Sequence, residues 1–94
     1  MKSLSREVYR LCRTTREDVF EKKGTKDKEV FARSILAYCL FKFSIDPATI
    51  SFMVQLSQTS TYHSIKRIEN WREIRDVQTI TILAKLNELF GYDF

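Results

Sequence analysis

Glycine and proline are nearly missing from this chain, with two of the first and one of the second among 94 residues. Hairpins and tight strand connections draw heavily on both, so their scarcity argues against a strand-rich fold. Long apolar runs are missing as well. No stretch approaches the roughly 18 residues that would cross a bilayer, and the start, "MKSLSREVYR", has no apolar segment of the kind that marks a secretory leader. The expectation is a cytoplasmic protein with no membrane partner. Cysteine is limited to Cys12 and Cys39, set in apolar helical patterns without a Cys-x-x-Cys spacing. They read as buried thiols of a reducing compartment, and neither a disulfide nor a metal site is indicated. Histidine occurs once, at His63, with no Cys, Asp or Glu in the same run to share a metal or a proton. There is no paired acid, no nucleophile beside a base and no glycine-rich phosphate loop. These absences argue against an enzyme and imply no cofactor.

The most localised absence is of carboxylates. Twelve residues are Asp or Glu, yet none falls between Ala48 and Ile68, a stretch that ends in the pair Lys66-Arg67. A surface that withholds negative charge is suited to meeting it. Over the whole chain, sixteen Lys and Arg leave a formal charge of +4 and a pI near 9.2. That balance is compatible with a nucleic-acid partner and is common in proteins that bind none.

What is present is helical. Hydrophobic residues make up 44% of the chain, including seven Phe, four Tyr and one Trp, and they recur at three- and four-residue spacing. The reading is a single all-α domain over residues 1–94, a compact bundle of five to six helices. Leu4, Val8, Leu11 and Cys12 form the stripe of a first helix that starts near Ser3 or Ser5. Thr15 caps a short helix in "REDVFEK", and the polar loop "KKGTKDK" follows. Residues 26–43 are apolar all round and should be the buried central helix. Asp46 and Pro47 make a strong helix start. The helix they open, residues 47–56, is expected to bury Ile50, Phe52 or Met53, Val54 and Leu56. Ser57 caps the next helix, which runs to about residue 75. Asp76 caps the last, whose stripe Val77, Ile80, Leu83, Leu86 and Phe90 ends at Gly91.

Two helices joined by a short turn, residues 47–70, have the outline of a helix-turn-helix. Any small helical bundle holds such pairs, so the second helix, residues 58–70, must be weighed by what it exposes. At about 100° per residue, Thr61, Ile65, Ile68 and Arg72 share one stripe, and the isoleucines point inward. Thr59, His63, Lys66, Arg67 and Asn70 then face outward, with Gln58 and Tyr62 towards one edge and Ser60 towards the other. Gln and Asn match adenine edges, Thr a thymine methyl or a phosphate, and Lys and Arg phosphates or guanine. The alternative is an ordinary solvated face; the missing carboxylates favour DNA, because such faces usually pair bases with acids. A second basic cluster, Lys22, Lys23, Lys26 and Lys28, with Arg33 further along, is either a solvated loop or a reach along the backbone or minor groove.

The segments also resemble the C-terminal DNA-binding domain of the bacterial replication initiator DnaA, a Trp-repressor-like helical fold. In "FARSILAYCLFK", Arg33 and Ala37 fall at that family's Arg and Ala; in "ATISFMVQLSQTSTYHSIKRIE", Ile50, His63, Ile65, Arg67 and the pair Ile68-Glu69 fall at its signature positions. "REDVFEKK" sits where the family has a short helix followed by a basic loop. Ser51 stands where it has glycine, Ser57-Gln58 where it has Asp-His, and the turn is one residue shorter. The similarity spans residues 15–70. It implies a recognition helix whose first turn, Gln58, Thr59 and Ser60 after the cap Ser57, enters the major groove of double-stranded DNA. Lys22, Lys23 and Lys26, or Arg33, would then lie by the minor groove. There is no room for the family's ATPase domain, so the expectation is a small stand-alone regulator of transcription or replication, bacterial or phage-encoded. The competing class is a helical protein-protein module, adaptor or inhibitor, without nucleic-acid binding. Its mark would be apolar residues on the free side of the last helix, where Ile82 and Leu89 lie; these would equally form a homodimer seam.

Overall fold

Three helix starts share one device. The computed structural model describes residues 3–21 and 27–94. Its helices are α1 (Leu4–Leu11), a π-helical turn (Glu17–Glu21), α2 (Asp27–Lys42), α3 (Pro47–Val54), α4 (Gln58–Glu73) and α5 (Val77–Phe90), with no strand among the described residues. Asp46 accepts the N–H of Thr49 at 3.0 Å, Ser57 that of Ser60 at 3.1 Å, and Asp76 that of Thr79 at 3.0 Å. Each cap holds a first-turn donor that would otherwise be unpaired. The residue three positions on also engages the cap through its hydroxyl, at 2.6 Å for Thr49, 3.1 Å for Ser60 and 2.9 Å for Thr79. Thr15 starts the π-helical turn in the same way, accepting the N–H of Asp18 at 3.1 Å.

The helix ends also share one closure, which the scarcity of glycine conceals. After each α-helix one residue takes a left-handed conformation: Arg13, Ser44, Gln55, Arg75 and Gly91, with φ between 57° and 67°. The residue after it donates its N–H five positions back: Thr14 to Tyr9, Ile45 to Leu40, Leu56 to Ser51, Asp76 to Trp71 and Tyr92 to Asn87. This is the Schellman arrangement. Four of the five left-handed positions carry a Cβ, each at a conformational cost of about 1–2 kcal/mol.

α2 is the hub. From Ala32 to Leu40 all its residues but Arg33 are buried, and it packs against α1, the π-helical turn, α3 and, most extensively, α4. α5 closes the bundle against α1 and α4. The chain then folds back over the end of α2. Phe94 is fully buried, its carbonyl accepting from the Tyr38 hydroxyl and its N–H donating to Asn87 Oδ1 at 2.6 Å. Phe43, Tyr92 and Phe94 form an aromatic cluster, with centroids 4.6, 4.9 and 5.2 Å apart. Cys12 and Cys39 are free, buried thiols. Burial pushes Cys12 up to about 11 and raises Cys39 further, so both remain protonated and unreactive near neutrality.

Two packing expectations are corrected. α3 buries Ile50, Ser51 and Val54, while Phe52 and Met53 are 85% and 46% exposed. An eight-residue helix presents one narrow stripe to α2, and the aromatic residue two positions past Ile50 falls outside it. On α5 the core stripe is Thr79, Ile82, Leu83 and Leu86, whereas Val77 and Ile80 are 79% and 38% exposed. Thr79 can go inside because its hydroxyl is bonded to Asp76, and its burial turns Ile80 outward. Ile82 therefore belongs to the core and does not form a free apolar patch.

Candidate nucleic-acid interface

α4 divides as its isoleucines require. Thr61, Ser64, Ile65 and Ile68 are buried, and the Thr61 hydroxyl donates to the Ser57 carbonyl at 2.8 Å, so no polar group is stranded by that burial. Gln58, Thr59, Ser60, Tyr62, His63, Lys66, Arg67 and Asn70 are all exposed, as is the cap Ser57. The structure therefore brings Ser57, Gln58, Thr59, Ser60, His63, Lys66 and Arg67 together on one helix and its cap. The first acid along α4 is Glu69. Glu69 is engaged by Lys66, whose Nζ lies 3.3 Å from its Oε2 and 5.6 Å from the centre of the Tyr62 ring. The ring of Tyr62 in turn meets His63 edge-on at 5.8 Å. Tyr62, 57% accessible, thus lies on the exposed face as its place at the edge of the outward set implied, and its four-residue spacing to Lys66 is the signal for the contact between them.

Arg67 shares that exposed face and borders a second feature as well. It opens on a cleft of about 560 Å³ between the start of α2, the end of α4 and the start of α5, which it shares with Lys28, Phe31, Trp71, Asp76 and Gln78. Phe31 and Trp71 pack at 5.8 Å.

Arg33 has a different use. It is only partly exposed, and it donates to the Val19 carbonyl, tying the π-helical turn to α2. Burial lowers its pKa from the usual guanidinium value, with Tyr9 acting in the opposite direction. Its neighbours Val19 and Tyr9 belong to the π-helical turn and α1, so the structure does not bring it to the α4 face. Lys22, Lys23 and Lys26 lie outside the described residues.

A second surface is apolar. At the elbow between α4 and α5, Ile74 and Val77 are 74% and 79% exposed, and Val77 and Ile80 line a depression of about 490 Å³ bordered by Arg72, Glu73, Arg75 and Thr81. Among the described residues, no group of His, Cys, Asp and Glu could hold a metal ion and no helix is long and apolar enough to cross a membrane. Comparison with protein-family models, with curated proteins and with solved structures found no match. The likeness to the DnaA domain thus rests on the quoted residues alone.

Proposed function

We propose that the chain is a non-catalytic binder of double-stranded DNA, with α3 and α4 as a helix-turn-helix and the first turns of α4 in the major groove. One observation carries the reading: over residues 58–68 the exposed side of α4 is continuous, hydroxyl- and amide-bearing and basic, without a carboxylate. Gln58, Thr59 and Ser60 are the base-edge candidates, and His63, Lys66 and Arg67 the phosphate candidates. The resemblance to the DnaA family's DNA-binding domain supports the same assignment and suggests a role in transcription or replication control. The exposed elbow suits a second copy of the chain: Arg72 and Arg75 beside Glu73 let a two-fold mate set opposite charges against each other around Ile74, Val77 and Ile80. Such a dimer would present two α4 helices to a palindrome. The same apolar elbow favours the second reading, a protein-interaction module.

The test is duplex binding over a salt series. A DNA binder loses log affinity by about 0.9 per decade of salt for each phosphate neutralised. Gln58→Ala should relax base preference, while Lys66→Ala with Arg67→Ala should weaken binding to every sequence. If the double variant bound random duplexes as tightly as wild type in low salt, α4 would not be the contacting helix.

A further inference from the structure

Lys66 and Arg67 are adjacent in sequence, yet their surroundings differ. Lys66 is taken up by Glu69 and the Tyr62 ring. Arg67 opens on the cleft of about 560 Å³, a volume within the range of small-molecule sites, about 300–1,000 Å³. Three features of that cleft point to one kind of occupant. Trp71 is half-buried and packs against Phe31 with ring centroids 5.8 Å apart, and both rings line the open space. Lys28 and Arg67 line it too, and among the described residues neither has an ion-pair partner. The one carboxylate in the wall, Asp76, accepts both the N–H and the hydroxyl of Thr79 and lies outside ion-pairing range of both cations.

A fixed aromatic surface beside two uncompensated cations is complementary to a ligand that carries a ring and a phosphate together. We propose that this cleft binds a nucleotide, with its base stacked on Trp71 and its phosphate held between Lys28 and Arg67. Gln78 supplies an amide able to donate and accept at the edge of the base. The nucleotide is either free or an unpaired unit of a strand lying along α4. Because Arg67 also belongs to the α4 face, an occupied cleft removes one cation from DNA contact; this coupling alone rests on the DNA-binding reading.

Trp71 is the only tryptophan, so its fluorescence reports on the cleft directly. The intact chain is titrated in low salt with adenosine 5′-monophosphate, with adenosine and with a short single-stranded oligodeoxynucleotide, and blunt-duplex binding is followed separately by anisotropy of an end label. The expected result is saturable quenching by a phosphate-bearing ligand. Affinity should fall at least about tenfold when the phosphate is absent, and by a similar factor in Lys28→Ala and in Arg67→Ala, each with unchanged helical circular dichroism. Quenching by the mononucleotide assigns a free ligand, and quenching by the oligonucleotide alone assigns a strand. Unchanged Trp71 emission with both, or quenching indifferent to phosphate and to Lys28, overturns the proposal. Duplex binding that persists in that case leaves the α4 reading standing, and its loss with quenching intact does the reverse.

Discussion

α4 and α5 are built by the same rules and finish with opposite surfaces. Each starts at a capped residue with a hydroxyl three positions on, each buries a threonine in its first turn whose hydroxyl is already bonded, and each then buries aliphatic residues at helical spacing. Both close on a left-handed residue. What remains outside differs: amides, hydroxyls and cations along α4, and Ile74, Val77 and Ile80 at the elbow where α5 begins. Core patterning determines which side a helix hides, and the exposed remainder carries the information about partners.

The comparison is sharpest between two isoleucines six residues apart. Ile68 is fully buried and Ile74 is 74% exposed. Measured at concentrations low enough for the monomer, Ile68→Ala should cost about 2–5 kcal/mol in chemical denaturation, whereas Ile74→Ala should stay within about 0.5 kcal/mol. Comparable losses at both sites would mean that the elbow is covered in solution. Next in size is the paired replacement of Lys66 and Arg67 by Ala. It should leave stability nearly unchanged and flatten the slope of log affinity against log salt by about two units, since each cation accounts for about 0.9. Sedimentation at several concentrations addresses the elbow. The wild type should gain mass as concentration rises, and a chain with Ile74→Ser and Val77→Ser should remain monomeric.

Smaller effects test the starts of the helices. Ser57→Ala removes the acceptor for Ser60 and should cost about 1 kcal/mol, read from the denaturant midpoint. The smallest shift expected is with pH. The Thr49 hydroxyl, then its N–H, holds the Asp46 carboxyl below its ordinary 3.8. A lowered folded pKa stabilises above the unfolded value and loses that contribution as pH falls through the folded one. Unfolding midpoints followed below the ordinary carboxylate range should therefore drop more in wild type than in Asp46→Asn.

The sequence made some of this legible and not the rest, for physical reasons. The caps at Asp46, Ser57 and Asp76 could be read because a cap and its target sit a fixed three residues apart. α2 could be read because it is apolar on every side. The exposure of both Phe52 and Met53 beside Ile50, or the choice of Ile82 over Ile80, could not, because more than one stripe fits helical spacing and the partner helix selects one. The left-handed closures at Arg13, Ser44, Gln55 and Arg75 carry no glycine to announce them. On α4 the exposed set follows as the complement of Ile65 and Ile68. Arg33 is another matter: its use depends on a carbonyl fourteen residues away in the π-helical turn, which spacing does not reveal. Likewise, the divergence of Lys66 and Arg67 depends on Glu69, Lys28 and Trp71 taken together.

The most direct test is to map amide and side-chain NMR shifts while a duplex is added in low salt. Perturbations should concentrate on Ser57, Gln58, Thr59, Ser60, His63, Lys66 and Arg67, with the buried stripe of α4 little affected. Perturbations confined to Ile74, Val77 and Ile80, or none along α4 at saturating duplex, would contradict α4 as the contacting helix.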